Sequence, residues 1–192
     1  IINWLSSGNL SFDWSIYIDP LTSLMLVVIT SISFLVHIYS IEYMSHDKSK
    51  PRFMAYLSFF TFAMIMLVTA DNFIQLFFGW EGVGLASYLL IGFWYHKNSA
   101  NQAAIKAFIV NRIGDFGLAI GIFIIYKYLG TLNYEEVFEG LITLNDKTIS
   151  ILGIEGSIIS CIAFFLFIGA MGKSAQIFLH TWLPDALSLI HI

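Results

Sequence analysis

Long apolar stretches separated by short polar ones dominate this sequence. A helix needs about 20 mostly apolar residues to cross the hydrocarbon core of a bilayer. The candidate spans cover residues 21–40, 53–70, 73–95, 102–126 and 156–182. Backbone groups in lipid must be paired internally, and these stretches lack the alternation of barrel strands, so we expect helices. The pattern predicts an all-α, polytopic transmembrane bundle of about five spans in a single domain, residues 1–192.

The polar stretches predict how these spans connect. Asp71-Asn72 predicts a tight turn, because both residue types cap and turn well. The longest polar stretch, residues 127–155, is rich in carboxylates and predicts a loop that contains a short surface helix. Pro184-Asp185 is expected to break or redirect the chain, with a sixth helix beginning near the C-terminus.

Basic residues in the short loops predict an orientation. Residues 41–52 and 96–101 should lie on one side of the membrane, and together they hold Lys48, Lys50, Arg52 and Lys97. The other side has few basic residues among many carboxylates. Loops rich in Lys and Arg stay on the cytoplasmic side, so we expect these two loops to face the cytoplasm or the mitochondrial matrix.

The composition agrees with a membrane environment. The chain is 58% hydrophobic and only 11% charged, against about 25% charged residues in soluble domains. The net charge of −4 comes with no basic block that would indicate a nucleic-acid partner. Cys161 has no cysteine to pair with and is expected to be a small buried hydrophobe. The chain starts at Ile1 and lacks a basic leader, so we expect no signal peptide and an incomplete sequence.

No catalytic motif stands out in the sequence. It contains no metal-ligand cluster, no Gly-rich phosphate loop, no nucleophilic triad and no dinucleotide fingerprint. We therefore predict no redox chemistry, no bound cofactor and no metal site in this chain.

Glu81 is a charge deep inside the third predicted span. It lies eight residues after Phe73, which places it about 12 Å along a helix, too deep for its side chain to reach water easily. An intramembrane carboxylate is costly and is by default functional. Gly79, Gly82 and Gly84 would let a neighbouring helix bring a cation close. Glu81 is thus predicted to be a protonatable site, with a structural ion pair as the alternative.

Three charges lie within the fourth predicted span. Arg112 and Asp115 are three residues apart and share a helix face, and Lys106 lies about 40° around the axis from Asp115. All three are predicted to look into one interior as proton-translocating groups. The alternatives are that Lys106 extends to the membrane surface and that Arg112 and Asp115 form a purely structural salt bridge.

Lys173, in the fifth predicted span, is the sharpest candidate for proton exchange. A desolvated amine loses its proton easily, and a nearby carboxylate reverses that preference. Helix motion that changes a Glu81–Lys173 pairing would therefore bind or release a proton. Gly169 and Gly172 could let this helix unwind, as half-helices do at transporter ion sites. The alternative is a lysine at the membrane interface.

Two histidines are weaker candidates. His180 could relay protons between Lys173 and the aqueous side, although a single histidine in an apolar span is often only hydrogen-bonded. His37, near the end of the first span, has less support still.

The strings that contain these residues resemble a known family. They are ADNFIQLFFGWEGVGLASYLLIGFWY, KAFIVNRIGDFGLAIGIFIIY, LGTLNYEEVF and GKSAQIFLHTWLPDA. From about Phe12 to Ala186 the chain resembles the NADH–ubiquinone oxidoreductase chain 5 family, the distal antiporter-like subunits of respiratory complex I. The strings WEGVGL, NRIGD and GKSAQ are the specific ones.

The resemblance implies a membrane-arm subunit that pumps protons while NADH reduces ubiquinone elsewhere in the complex. It implies that Glu81 and Lys173 are a coupled pair in a half-channel. Arg112 and Asp115 would steer charge between neighbouring subunits, and His180 is the histidine of the last string. NADH, FMN, iron–sulfur clusters and ubiquinone are expected in partner subunits. The implied membrane is the mitochondrial inner membrane or, alternatively, a bacterial plasma membrane, and the main partner is the adjacent antiporter-like subunit.

The chain departs from the family in two ways. It is much shorter, so the second half-channel is missing. After Ala186 the family continues with a Gly-Pro-Thr-Pro stretch that is absent here, so His191 is not equated with the family's relay histidine. The large subunit of a multi-subunit sodium/proton antiporter remains an alternative function, as does a purely structural fragment.

Overall fold

Helices dominate a computed structural model of the chain, which describes residues 2–7, 10–145, 147–151 and 154–188. The chain divides into two compact units, Ile1–Ile105 and Lys106–Ile192. The first unit holds β1 (Ile2–Ser7), β2 (Leu10–Trp14), α1 (Pro20–Tyr43), α2 (Lys50–Val68) and α3 (Phe73–Ile91). Helix α4 (Asn98–Leu129) runs across the boundary. The second unit continues with α5 (Tyr134–Leu141), a 3₁₀ turn (Ile142–Leu144), β3 (Thr148–Ile151), β4 (Ile154–Ser157), α6 (Ile158–Lys173) and α7 (Trp182–Ser188).

The helices α1 to α4 are each long and apolar enough to cross a membrane. They correspond to the first four predicted spans, and they make the chain a multi-pass membrane protein. The all-α class is confirmed, because the strands within the described residues form only two small hairpins.

Side chains just before two of these helices fix where they begin. The Asp19 carboxylate accepts a hydrogen bond of 2.6 Å from the Thr22 N–H, which satisfies one of the unpaired donors of the first turn of α1. This bond holds the pKa of Asp19 below its ordinary value. The Asn72 side chain caps α3 in the same way, at 2.8 Å from the Gln75 N–H. The predicted turn at Asp71-Asn72 is therefore confirmed.

Helices α2 and α3 form the tightest crossing of the first unit. A Cβ added to Gly79 would lie 2.6 Å from the Cα of Leu67, which is a backbone atom that cannot move out of the way easily. Small residues allow such close approach between membrane helices. The crossing therefore depends on the absence of a side chain at position 79.

An N-terminal hairpin covers one end of the first unit, and the sequence analysis did not predict it. Strands β1 and β2 pair antiparallel. Trp4 and Trp14 pack edge to face against Phe78 of α3, with ring centroids 5.7 and 5.3 Å away. The Gln75 amide donates to the Ser15 carbonyl at 2.9 Å. These contacts fasten the hairpin to α3.

The two basic loops meet at the other end of the first unit. The Trp94 indole N–H donates to the Asp47 carboxylate at 3.0 Å, and the Arg52 Nη2 donates to the Phe93 carbonyl at 3.2 Å. The connection between α1 and α2 and the connection between α3 and α4 therefore lie at the same end of the first unit, and the side of the membrane that they face stays a prediction. The Trp94 bond, with help from the Ser49 N–H and the Arg52 charge, holds the pKa of Asp47 below its ordinary value of 3.8.

The polar stretch after α4 contains the expected short helix, α5, whose first turn holds Glu135 and Glu136. It also contains a hairpin of β3 and β4 that the sequence analysis did not predict, paired antiparallel from Thr148 opposite Ser157. Asp146, also part of the predicted polar stretch, lies outside the described residues.

The predicted fifth span, residues 156–182, is not one continuous helix, and its helix ends just after Gly169 and Gly172, the glycines that were expected to let it unwind. Helix α6 ends at Lys173, is only 16 residues long and is shorter than the helices that qualify as candidate spans. The backbone then takes positive φ angles at Ala175 (49°) and Phe178 (75°), which no α-helix accommodates.

The chain is redirected before Pro184 rather than at it, so that prediction is wrong. Pro184 is the third residue of α7, where a missing N–H costs no helical hydrogen bond. The helix expected near the C-terminus is α7, which is described through Ser188. His191 lies outside the described residues.

Candidate functional site

Glu81 lies in the middle of α3, close to the crossing with α2. Two of its neighbouring glycines face that helix. Gly79 contacts the backbone of Leu67, and a Cβ on Gly82 would lie 3.1 Å from the Cβ of Ala63. The Glu81 side chain is half-buried, and its Oε1 is shielded from solvent. The structure therefore places this carboxylate inside a bilayer-length helix, as the sequence analysis predicts.

Arg112 and Asp115 share a face of α4 and form an ion pair, with 4.0 Å between Nη1 and Oδ2. Only Asp115 is buried, at 4% exposure. The Arg112 side chain is 48% exposed, and its guanidinium carbon lies 4.7 Å from the centroid of the Phe108 ring. Arg112 and Asp115 form the ion pair that was expected from the sequence. They do not share a buried interior, because the Arg112 side chain is largely exposed.

Lys106 forms an ion pair that was not expected from the sequence, and its role in proton translocation stays a prediction. Its Nζ lies 2.6 Å from Oδ2 of Asp185 on α7, and the two side chains are 44% and 47% exposed. The long, flexible lysine stem reaches this carboxylate from the first part of α4. The sequence analysis missed Asp185 as a charge partner because it considered Pro184-Asp185 only as a break in the chain.

Lys173 is the last residue of α6, and its Nζ is shielded from solvent. The preceding residue, Gly172, packs directly on α4, where a Cβ would lie 3.1 Å from the Cα of Gly114. Asp115 follows Gly114 in the chain, so one helix crossing brings the backbones that carry Asp115 and Lys173 together. The buried Oδ1 of Asn111, one turn before Asp115, has no hydrogen-bond donor among the described residues.

The end of α6 is supported by a tryptophan that sequence reasoning did not identify. The Trp182 indole N–H donates to the Gly172 carbonyl at 3.2 Å. The last carbonyls of a helix have no intrahelical partner, and this bond supplies one beside Lys173. The role of Trp182 could have been inferred from the sequence only if the end of α6 at position 173 had been known.

His180 lies in the irregular segment between α6 and α7, not in a helical span. Its side chain is exposed. It borders a cavity of about 540 Å³, whose other lining residues are Met171, Ala175, Gln176 and Ile177. A relay from Lys173 through His180 stays a prediction.

His37 on α1 is held by local hydrogen bonds. Its Nδ1 lies 2.8 Å from the Ser33 carbonyl oxygen, and its Nε2 lies 3.4 Å from the Ser58 hydroxyl of α2. These contacts join α1 to α2.

Within the second unit the structure thus gathers Asp115 and Lys173 at one helix crossing and pairs Lys106 with Asp185. Glu81 belongs to the first unit, and its coupling to Lys173 stays a prediction. Across the described ranges, no group of three or more His, Cys, Asp or Glu side chains could hold a metal ion.

Bilayer-length helices with ionisable atoms buried inside them define a polytopic membrane protein with candidate ion-translocating groups. The chain belongs to the NADH:quinone oxidoreductase/Mrp antiporter transmembrane family, whose model matches residues 70–189. A second model, described as NADH-ubiquinone oxidoreductase (complex I), chain 5 N-terminus, matches residues 4–54. The resemblance stated from the motifs is confirmed.

Curated relatives agree with the family models. The chain is 55% identical over 187 residues to NADH-ubiquinone oxidoreductase chain 5 of Chondrus crispus, covering 97% of this chain and 28% of that protein. It is 56% identical over 187 residues to NADH-quinone oxidoreductase subunit L of Rickettsia bellii, covering 97% and 29%. For subunit L of Rhodobacter capsulatus the identity is 54% over 194 residues, covering 97% and 27%. The chain therefore spans just over a quarter of the length of these relatives.

Proposed function

We propose that this chain is part of a membrane subunit that translocates protons in an NADH:quinone oxidoreductase. The names of its relatives support this assignment. The observation that carries it is the burial of ionisable atoms within apolar helices, namely Oε1 of Glu81, Nζ of Lys173 and the Asp115 carboxyl group. A charge at the centre of a membrane helix costs about 2.5–3.5 kcal/mol on insertion scales, so such residues are retained for a function.

The proposed mechanism is electrostatic. Desolvation disfavours the charged form of the Lys173 amine, whereas a nearby carboxylate favours it. A rearrangement that changes the pairing of Lys173 with Glu81 therefore changes its affinity for a proton. The Gly114–Gly172 crossing adds Asp115 as a second carboxylate on the helix next to α6. Arg112, Lys106 and His180 are proposed to complete the proton path.

The redox chemistry belongs to other subunits in this proposal. NADH, FMN, iron–sulfur clusters and ubiquinone would bind there, and the rearrangement would arrive from the adjacent antiporter-like subunit. The membrane would be the mitochondrial inner membrane or a bacterial plasma membrane. Redox energy would then reach this chain only as motion and electric field.

The test uses the full-length subunit in its assembled complex. Lys173→Ala and Glu81→Gln each remove one proposed proton site. Lys127→Ala and Glu139→Gln are matched controls, because both side chains are exposed. A native gel measures assembly, and a pH-sensitive dye in sealed vesicles measures pumping driven by NADH. We expect both site variants to assemble and to lose most of their pumping, while the controls pump normally.

Normal pumping by assembled Lys173→Ala would contradict the proposal. A sodium/proton antiporter is the competing function, since the family model covers both kinds of protein. Sodium-driven pH changes in the absence of NADH, together with purification free of flavin and iron–sulfur subunits, would favour it.

A further inference from the structure

A cavity at the basic end of the first unit contains an arginine that the proton path does not use. The cavity has a volume of about 200 Å³, many times the roughly 10–15 Å³ that one water needs. Its wall is lined by the Arg52 side chain, three tyrosines and an asparagine, with apolar residues between them. The hydrogen-bonding residues after Arg52 are Tyr56, Tyr88, Tyr95 and Asn101.

Arg52 is held in place but keeps unused donors. Its Nη2 donates to the Phe93 carbonyl at 3.2 Å, and its guanidinium carbon lies 4.8 and 5.1 Å from the ring centroids of Phe93 and Tyr95. Its Nε is buried and has no acceptor within the described part of the chain. An N–H shielded from water without an acceptor is costly, so this position favours a ligand that supplies an anionic oxygen.

The charge around the cavity also favours an anion. Lys48, Lys50 and Lys97 lie in the same two connections as Arg52. The Asp47 carboxylate, which the Arg52 charge also stabilises, accepts hydrogen bonds from the Trp94 indole at 3.0 Å and the Ser49 N–H at 2.7 Å. The other titratable side chains in these two connections are Glu42, His46, His96 and the tyrosines.

The position of the cavity relative to the membrane identifies the source of the anion. Its lining comes from the first turns of α2, the last turn of α3 and the start of α4, which is where bilayer-length helices meet the headgroup layer. Tyrosines and basic residues at that level are typical of headgroup contacts. The cavity is smaller than the roughly 300–1,000 Å³ of pockets that enclose drug-sized ligands, so it suits a headgroup whose acyl chains stay outside.

We propose that this cavity, defined by Arg52, Tyr56, Tyr88, Tyr95 and Asn101, binds the phosphate of an anionic phospholipid. The Arg52 guanidinium donates to the phosphate oxygens, since its fork of N–H groups matches their geometry. Tyr56 and Tyr95 line the cavity and carry further donors, and the Asn101 amide, which donates one N–H to the Tyr95 carbonyl at 2.7 Å, has a second N–H. The bound lipid bridges the two basic loops, and this role is independent of proton translocation.

The experiment uses the full-length subunit in its purified assembly, stripped of lipid in a mild detergent. Short-chain phosphatidylglycerol, short-chain phosphatidylcholine and inorganic phosphate are titrated separately, and the rise in thermal midpoint gives each apparent affinity. Arg52→Gln removes the charge, and Arg52→Lys keeps the charge but loses the fork. Lys48→Gln is the matched control, because Lys48 is an exposed cation in the same loop that does not line the cavity.

We expect the unaltered protein to bind phosphatidylglycerol more tightly than phosphatidylcholine or inorganic phosphate. Arg52→Gln should weaken phosphatidylglycerol binding about tenfold or more, as loss of a charge-assisted hydrogen bond does, while Lys48→Gln changes it little. Unchanged phosphatidylglycerol binding by Arg52→Gln would overturn the proposal. If Arg52→Gln does not assemble, Arg52→Lys decides instead, and its full affinity would overturn the assignment of the guanidinium. Inorganic phosphate that stabilises as strongly as the lipid would overturn a lipid source.

Discussion

The crossing of α2 and α3 makes a sharp prediction at Gly79. In Gly79→Ala the new Cβ would lie 2.6 Å from both the Cα and the backbone nitrogen of Leu67. Ordinary contact begins at 3.4 Å, so the two helices must separate by about 0.8 Å, the difference between those two distances. Neither atom can rotate away, because both belong to the backbone of α2. The substitution should therefore loosen the crossing beside Glu81.

The size of the effect follows from two opposing terms. Overpacking a tight contact costs up to about 3 kcal/mol, and alanine gains about 1 kcal/mol over glycine in a helix. The net destabilisation at position 79 is thus about 2 kcal/mol. Gly82→Ala is the matched control on the same helix, because its Cβ would lie 3.1 Å from the Cβ of Ala63 and needs a shift of only a few tenths of an ångström. At position 82 the smaller cost of overpacking and the helix-propensity gain of alanine nearly cancel, so little net change in stability is expected.

The assay is the thermal midpoint of the purified full-length assembly in detergent, followed by size-exclusion chromatography after heating. We expect Gly79→Ala to lower the thermal midpoint by several degrees. The midpoint of Gly82→Ala should stay close to that of the unaltered protein. Equal midpoints for the two variants would refute the argument that the backbone of α2 blocks a side chain at position 79.

Three further predictions concern other contacts. Asp115→Asn removes the buried charge on α4 and should abolish most proton pumping while the assembly survives, as measured in dye-loaded vesicles. Trp182→Phe removes the hydrogen bond to the Gly172 carbonyl and should destabilise the assembly by about 0.5–1.5 kcal/mol, measured by its thermal midpoint. Because the pKa of Asp47 is depressed, its stabilising contribution is present above pH 3.8 and is lost as the pH falls through the lower, folded-state pKa. Trp94→Phe removes the largest cause of that depression, so the variant should be less stable than the unaltered protein above pH 3.8 and should lose less stability on acidification.

Each of these three predictions has a result that would contradict it. Full pumping by Asp115→Asn would remove this carboxylate from the proton path. A Trp182→Phe midpoint equal to that of the unaltered protein would show that the Gly172 carbonyl finds another donor. Identical acid profiles with and without the Trp94 indole would show that its bond to Asp47 contributes nothing to stability in acid.

Local sequence signals were enough to predict the first four spans and the turn between α2 and α3. Mostly apolar runs of bilayer length have few alternatives to a helix in lipid, and Asp and Asn at positions 71 and 72 are typical turn and cap residues. Burial of Glu81 and Lys173 followed from their positions within apolar runs. The shared end of the two basic loops followed from counting the spans between them.

The end of α6 could be predicted only in part, because Gly169 and Gly172 indicated that the helix could unwind but not at which residue. The positive φ angles fall on Ala175 and Phe178 rather than on glycine, so residue type does not indicate where the backbone leaves the helical conformation. Helical periodicity alone placed Lys106 beside Asp115, but its side chain instead reaches Asp185 through a tertiary contact. The cavity around Arg52 was missed for the same reason, since three helices and the connection between α3 and α4 build it together.

Helix α4 is longer than the membrane is thick, and this mismatch has a consequence for its charges. Its 32 residues correspond to about 48 Å, against about 30 Å of hydrocarbon. Tilting alone would require about 51°, beyond the roughly 0–40° seen for membrane helices, so part of the rod must stand outside the bilayer. Its first turns carry the polar residues Asn98, Asn101 and Gln102, which suit a helix end that is exposed to water. If all of the excess length lies at that end, Lys106, about 12 Å from the helix start, would lie near the surface of the hydrocarbon, and Asp115, about 26 Å from the helix start, would lie inside it.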